Sequence, residues 1–236
     1  MKEADRPANE AQRLDALKRY QVLDSAPEQA YDDITKLASH ICGCPIALVS
    51  LIDENRQWFK SHLGLDATET PRSHAFCSHA ILGDVPLVVP NALDDIRFHD
   101  NPLVTGDPDI RFYAGAPLVA PDGLRMGTLC VIDRIPKNLD PSQLLALEAL
   151  ARQVIHLLEL RRSADELAAA LENVKLLEGL LPICSYCKNI RDDHGSWHRI
   201  ETFVHERTEA QFTHGICPGC MQKNFPAAWE KLRRNS

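Results

Sequence analysis

PIALVSLID, residues 45–53, is the stretch that decides the fold. Between Pro45 and Asp53 it runs for seven residues, six of them apolar, and such a run is typical of a β-strand that is buried on both faces. Residues 56–62 follow a short polar turn and are expected to pair back against this strand. A strand buried on both faces needs a layer on each side, so the sequence predicts a covered sheet.

The neighbouring segments complete this sheet and its helices. The turn Pro121-Asp122-Gly123 predicts an antiparallel hairpin, and Ser25 with Glu28 predicts a capping box at a helix start. The predicted strands are residues 87–89, 112–119 and 124–133, and the predicted helices are residues 10–24, 25–42, 74–82 and a long one from Pro141. The expected fold class is therefore α/β (α+β), with a mostly antiparallel sheet sandwiched by helices.

Size and composition predict a globular chain with a second, smaller part. The 236 residues are 44% hydrophobic and 25% charged, which excludes collagen-like, mucin-like and wholly disordered polymers. The N-terminal residues are charged and no apolar run is long enough to span a bilayer, so we expect a cytoplasmic protein without a membrane partner. The expected domains are residues 1–161, a connecting helix at 141–178 and a small module at 179–236.

Charge is divided unequally between these parts. Residues 1–178 carry a net charge of −9, whereas residues 179–236 carry +2. The larger part therefore repels nucleic acid, and the smaller part is less basic than a typical phosphate-binding surface. A nucleic-acid partner is thus not expected.

The long helix has apolar residues at coiled-coil spacing. From Leu150 they recur in steps of three and four residues, the pattern of a coiled-coil seam. The residues at these positions are Leu150, Gln153 or Val154, Leu157, Leu160, Ala164, Leu167, Leu171 and Val174. Up to about Leu160 the helix is expected to cover its own sheet, and beyond that residue the seam needs a partner. We therefore predict a homodimer through residues 150–178.

Four cysteines near the C-terminus have the spacing of a metal site. Cys184 and Cys187 form one Cys-x2-Cys pair, and Cys217 and Cys220 form another after 29 intervening residues. Two such pairs supply four thiolates for a structural, tetrahedral zinc ion in a zinc-ribbon-like module. Two alternatives are a redox-active dithiol and two reduced cysteine pairs without metal. His214 is a further candidate ligand.

Several motifs together resemble a known family. They are residues 10–20, PIALVSLID (45–53), RQWFKS (56–61), ETPR (69–72), HAFCSHA (74–80), FYAGAPL (112–118) and GTLCVID (127–133). This combination resembles a bacterial signalling GAF domain over about residues 10–161. The two cysteine pairs and their neighbours resemble a small cysteine-rich module appended to bacterial sensor and receiver proteins.

The GAF resemblance implies a sensory pocket on one face of the sheet, closed by the short helix and the long loop at residues 91–108. The implied ligand-binding residues are His74, Cys77, His79, Asp94, Arg97 and Tyr113, and the ligand itself is unknown. Ser73 is expected to cap the short helix, so that Cys77 lies near a helix start and its thiolate is favoured. The acidic side chains of the long loop, Asp107 included, either line the pocket mouth or form a solvated loop.

The preferred function is a cytoplasmic, dimeric sensor that is not an enzyme. Its GAF domain would bind a small ligand or sense redox state, and the helix would pass the signal to the zinc module and a downstream protein partner. One alternative is a free methionine sulfoxide reductase or thiol redox enzyme, with Cys77 and Cys130 as nucleophile and resolving thiol. Another is a nucleic-acid-binding zinc module, suggested by the basic residues Lys231, Arg233 and Arg234.

Overall fold

The computed structural model describes residues 1–175, 181–208 and 210–234. It divides into two compact units, Met1–Glu166 and Leu167–Ser236. The predicted domain boundaries stay a prediction, and residues 176–180 of the predicted connecting segment lie outside the described residues.

The first unit is built on a six-stranded sheet in the order β3-β2-β1-β6-β5-β4. Each neighbouring pair of strands is antiparallel. The strands are β1 Ile46–Ile52, β2 Arg56–Leu63, β3 Glu69–Pro71, β4 Leu87–Val89, β5 Phe112–Val119 and β6 Arg125–Asp133. The predicted fold class is confirmed, and all seven residues of β1 are buried.

Helices cover both faces of this sheet. They are α1 Glu10–Arg19, α2 Gln29–Cys42, α3 Phe76–Ala80, α4 Pro102–Thr105 and α5 Pro141–Lys175, with a 3-10 turn at Arg72–His74. Residues that alternate along the strands divide into two buried clusters, one per face, because successive side chains of a strand point to opposite sides. The first cluster packs against α1, α2 and α5, and the second packs against α3 and the 91–110 loop.

Close contact between β1 and β6 depends on a glycine. A Cβ atom on Gly127 would lie 1.9 Å from the carbonyl oxygen of Ser50 and 2.8 Å from Cα of Leu51. Any larger residue would push the two central strands apart. Gly127 therefore fixes how closely β1 and β6 approach.

Two predicted helix starts differ from the observed ones. Helix α2 begins at Gln29, and its N-cap Glu28 makes no side-chain capping bond. Lys60 is the reason, because its ammonium group donates to Ser25 Oγ at 2.8 Å and to Glu28 Oε1 at 2.6 Å. Buried Lys60 thus takes the oxygens that a capping box would have used.

The short helix is also shorter than expected. Ala75, not Ser73, precedes α3, and the helix has only five residues. Cys77 lies in its first turn, but a helix this short contributes little dipole to a thiolate. The stabilising groups around Cys77 come from the sheet instead.

The second unit contains a small hairpin and three helices. They are β7 Ile190–Arg191, β8 Trp197–His198, α6 Ile200–Arg207, α7 Pro218–Asn224 and α8 Pro226–Arg234. Its buried residues include Ile190, which is fully buried, and Phe203. Such a small apolar core is typical of modules that need a metal ion or crosslinks for stability.

Candidate functional site

A cavity of about 190 Å³ lies on the α3 face of the sheet. Its walls are mostly apolar and come from β1, β2, β5, β6, α3 and the long loop. Phe59 and Phe76 provide aromatic surface, and Cys77 and Tyr113 complete the inner wall. The cavity is therefore enclosed by the elements that the sequence predicted to form a pocket.

Two polar atoms in this cavity wall have no partner. Gln57 Oε1 and Thr70 Oγ1 are buried and make no hydrogen bond to any residue that the structure describes. Gln57 on β2 is the register partner of Thr70 on β3, so both side chains lie on the same face of the sheet edge. Buried polar atoms in folded proteins are nearly always paired, so this pair of atoms is prepared for a ligand or a bound water.

The mouth of the cavity is acidic. Asp66 and Asp107 contribute to its lining, and both residues are exposed. Among the described residues that line the cavity, none is Lys, Arg or His. Negative charge at the mouth therefore has no basic counterpart in the wall.

Two thiols meet beside the cavity. Cys77 Sγ lies 3.8 Å from Cys130 Sγ, and both residues are buried. Thr128 Oγ1 donates to Cys77 Sγ at 3.0 Å, and Tyr113 donates its hydroxyl to the same sulfur at 3.3 Å. Cys77 therefore has several donors arranged for its thiolate form.

These contacts separate the acidities of the two thiols. Burial raises the pKa of Cys77, but hydrogen bonds from Cys130, Ser50, Thr128 and Tyr113 outweigh burial and lower it. Hydrogen bonding to Cys77 and burial both raise the pKa of Cys130. Cys77 is thus the thiol that ionises first, while Cys130 keeps its proton.

Gly115 allows this arrangement. A Cβ atom on Gly115 would lie 2.1 Å from the Tyr113 hydroxyl oxygen, so the tyrosine side chain lies over the glycine. Gly115 is also the register partner of Cys130. The missing side chain therefore makes room for the Tyr113 hydroxyl to reach Cys77.

The structure brings only some of the predicted ligand-binding residues to the cavity. Cys77 and Tyr113 line it, whereas His74, His79, Asp94 and Arg97 do not.

Each of these four has a different setting. The backbone carbonyl of His74 accepts from Asn101, and the ring of His79 packs edge-on against Phe98. Arg97 pairs with Asp95 at 2.6 Å, and Asp94 accepts from Asn91 at 2.7 Å. The Arg97–Asp95 and Asn91–Asp94 contacts are those of a self-capping loop, the second interpretation that the sequence allows for residues 91–108, whereas His74 and His79 lie before this loop.

Sequence reasoning missed Gln57 and Thr70. The sequence signal for Gln57 is an amide between Arg56 and Trp58, at the start of a strand whose residues 57–61 are buried. The register that places Gln57 beside Thr70 depends on the β2–β3 turn, which the sequence alone did not resolve.

The C-terminal cysteines are brought together as two separate pairs. Backbone N–H groups of Cys187 and Tyr186 donate to Cys184 and lower its pKa. Backbone N–H groups of Cys220 and Gly219 act likewise on Cys217. One thiol of each pair, Cys184 and Cys217, is therefore favoured as the thiolate that a zinc ligand requires, whereas the hydrogen bond with Cys217 raises the pKa of Cys220.

A four-ligand site is not assembled from these pairs. Within residues 1–175, 181–208 and 210–234, no group of three or more His, Cys, Asp or Glu side chains is positioned to hold a metal ion. The zinc ion stays a prediction, with Cys184, Cys187, Cys217 and Cys220 as its ligands.

Family comparison agrees with this geometry. A model of the GAF domain matches residues 26–157, more than half of the chain. The chain belongs to the GAF domain family. The matched GAF segment contains every strand of the six-stranded sheet and the whole cavity wall.

A curated relative corrects one prediction. The chain is 40% identical over 176 residues to a cyclic di-GMP phosphodiesterase of Pseudomonas aeruginosa. The match covers 73% of this GAF protein but only 30% of the relative. Because this relative is named as an enzyme, the expectation that the protein is not an enzyme is wrong.

Solved GAF structures share the fold. The GAF domain of PixJ from Thermosynechococcus elongatus, in its blue-light absorbing form, has a TM-score of 0.50 and 14% identity, covering 70% of this chain and 96% of its own. A free methionine-R-sulfoxide reductase from Neisseria meningitidis, in complex with its substrate, has a TM-score of 0.48 and 16% identity, covering 70% and 98%. The PixJ match, at 14% identity, shows the fold and neither a ligand nor an activity.

No helix in the described part of the chain combines the length and apolar character that crossing a bilayer requires.

Proposed function

We propose that this GAF protein is a sensor whose cavity binds a small molecule and whose long helix passes the signal on within a homodimer. The observation that carries the proposal is the cavity of about 190 Å³ beside α3. The receiving part is the cysteine module, held by one zinc ion, which contacts a downstream protein.

A chain of ion pairs connects the cavity strand to the long helix. Gln57 and Phe59 of β2 line the cavity, and the next residue, Lys60, is bound to Glu28 at 2.6 Å. Glu28 also pairs with Arg161 of α5. A displacement of β2 on ligand binding therefore changes the contacts of α5 directly.

The first part of helix α5 packs against the sheet, and its later part presents an exposed apolar surface for a partner. Leu147, Val154 and Leu158 are buried in the first cluster, so this part covers the sheet. Leu160, Leu167 and Leu171 are more than half exposed. Their spacing of seven and four residues fits a coiled-coil seam, and a second copy of the chain supplies the same surface.

The dimer is tested by mass measurement of the intact protein under native conditions. We expect two chains per particle and one zinc ion per chain. Leu167→Lys is expected to weaken dimerisation at least about a hundredfold, because each dimer loses two buried leucines and gains two facing charges. Leu145→Lys is the matched control, since Leu145 is equally exposed on α5 but outside the seam. Equal dissociation of the two variants would contradict the proposed seam.

The relative points to a signalling context. Its name supports the proposal that the GAF unit works in cyclic di-GMP signalling, and a match to 73% of this chain necessarily includes much of that unit. Assays of the full chain with cyclic di-GMP, with and without bound ligand, decide whether hydrolysis extends to this protein.

The thiol pair favours a second candidate function, thiol redox sensing. In this scheme the Cys77 thiolate attacks a hydroperoxide, which leaves a sulfenic acid and releases an alcohol or water. The Cys130 thiol then attacks that sulfur, water departs and a disulfide forms. The 3.8 Å separation of the sulfurs suits this second step after a small shift. Reduction of free methionine sulfoxide would use the same thiols, but the described cavity lining offers no basic side chain for the carboxylate of that substrate.

The redox candidate predicts a defined mass change. Treatment of the full chain with hydrogen peroxide, followed by peptide mapping, is expected to give a peptide pair linked through Cys77 and Cys130. Cys130→Ser is expected to stop at the sulfenic acid of Cys77, whereas Cys42→Ser leaves the crosslink unchanged. Exclusive oxidation of the exposed Cys187 and Cys217 would count against this candidate.

A further inference from the structure

The size of the cavity limits its occupant. At about 190 Å³ it is smaller than the pockets that hold drug-sized ligands. A cavity of about 150 Å³ is large enough for benzene, so a single ring with one short substituent fits here. Phe59 and Phe76 on the wall suit such a ring by apolar and aromatic contact.

The unpartnered polar atoms of the cavity wall need a hydrogen-bond donor. Gln57 is 5% exposed, and its Oε1 accepts no hydrogen bond within the described part of the chain. A carbonyl oxygen can only accept, so the group that satisfies it must carry an N–H or O–H. Thr70 Oγ1, on the neighbouring strand, is also unpartnered and is able to accept a second hydrogen bond from the same ligand.

The charged residues of the cavity lining favour a positively charged ligand. Asp66 and Asp107 contribute carboxylates to the lining, and its described residues include no cationic side chain. A carboxylate or phosphate ligand would meet repulsion from these carboxylates, because the nearby Arg111 and Arg134 donate to the backbone carbonyls of Ile110 and Pro108 and do not line the cavity. An ammonium group would find attraction and acceptors together.

We propose that the cavity binds a small organic ammonium compound, about one aromatic ring in size, whose N–H groups are held by Gln57 and Thr70. This inference rests on the proposed sensor function, because it names the class of ligand for the same cavity. The apolar part of the ligand contacts Phe59 and Phe76, and its charge is balanced by the two aspartates.

A series of probes of one shape tests the proposal. Binding of benzylammonium, benzyl alcohol, toluene and benzoate to the full chain is measured by calorimetry and ligand-observed NMR. Benzylammonium is expected to bind about tenfold more tightly than toluene, because a hydrogen bond of a charged donor to a buried acceptor is worth about that factor. Benzyl alcohol is expected to bind with an affinity between those of benzylammonium and toluene, and benzoate is expected to bind most weakly.

Variants locate the binding. Gln57→Met keeps the size of the side chain, removes the acceptor and is expected to abolish the preference for benzylammonium over toluene while toluene still binds. Gln12→Met, on an exposed position of α1, is the matched control and should keep the full preference. Asp107→Asn is expected to reduce the difference in affinity between benzylammonium and benzyl alcohol.

The outcomes separate the two proposals. Toluene and benzoate binding as tightly as benzylammonium would overturn the ammonium inference and leave a ligand-binding sensor. Unchanged preference in Gln57→Met would overturn it as well. Failure of all four probes to bind, with the protein folded, would remove the support for the cavity as a sensor site, whereas the dimer measurement tests the output half separately.

Discussion

Glu10→Gln is expected to lower the free energy of unfolding by about 3 kcal/mol, because it takes the charge partner from buried arginines. Arg13 is 1% exposed and donates two hydrogen bonds of 2.8 Å to the Glu10 carboxylate. Arg72 donates to the same carboxylate and to the carbonyl of Asp53. A glutamine keeps the shape but leaves two guanidinium groups without a counter-charge in a protein interior.

Chemical denaturation of both proteins at neutral pH measures this loss. Glu54→Gln is the matched control, because Glu54 is exposed, and a change below about 0.5 kcal/mol is expected there. A loss for Glu10→Gln no larger than for Glu54→Gln would show that the cluster adds nothing to stability.

The same cluster predicts a pH dependence. Burial raises the pKa of Glu10, but hydrogen bonds from Arg13 and Arg72 outweigh burial and lower it from 4.5 to about 2. The folded pKa lies below the unfolded one, so the stabilisation is present above pH 4.5 and is lost as the pH falls to about 2. The difference in unfolding free energy between wild type and Glu10→Gln should therefore shrink across this range. A constant difference would contradict the assignment.

The cluster also matters for the site. Arg72 lies in the 3-10 turn just before α3, and its carbonyl accepts a 3.1 Å hydrogen bond from Ser78 Oγ. Loss of Glu10 is therefore expected to loosen the helix that carries Cys77, in addition to lowering stability.

Gly127→Ala is expected to destabilise the protein by about 3 kcal/mol or more, at the upper end of overpacking effects. The new methyl group would meet the Ser50 carbonyl oxygen at 1.9 Å, and β1 and β6 are able to separate only by disturbing their pairing with β2 and β5, because both are central strands. A flexible side chain would have moved aside, but this contact is with backbone.

Gly83→Ala is the control for this prediction. The nearest atom to a Cβ at Gly83 is 4.0 Å away, so little change is expected. Equal midpoints of urea unfolding for the two variants would contradict the assigned role of Gly127. A folded Gly127→Ala protein should also show slower peroxide crosslinking of Cys77 to Cys130, because Cys130 lies on the displaced strand.

Much of the fold was predictable because its signals are local. The apolar run of β1, the Pro-Asp-Gly hairpin turn and the glycine that ends α2 each depend on a few adjacent residues. The sequence also placed Cys77 and Tyr113 near the pocket through the resemblance to a family, and both line the cavity.

The rest depended on contacts between distant residues. Lys60 lies about thirty positions from the oxygens that it binds, and it replaced the predicted cap of α2. The sequence names Cys77 and Cys130 together only in an alternative function, and the sheet register with the position of α3 is what brings their sulfurs within 3.8 Å. Gln57 and Thr70 became a pair through a register that no short motif encodes.

The alternation along β2 has a consequence for how such a protein can diversify. Gln57 and Phe59 line the cavity, while Trp58 packs into the opposite cluster and Lys60 pairs with Glu28. In the proposed sensor, ligand contacts and output contacts therefore alternate residue by residue on one strand. In such a sensor, new chemical specificities can arise at alternate positions while the intervening residues keep their contacts with the helices, so that one scaffold serves many signals.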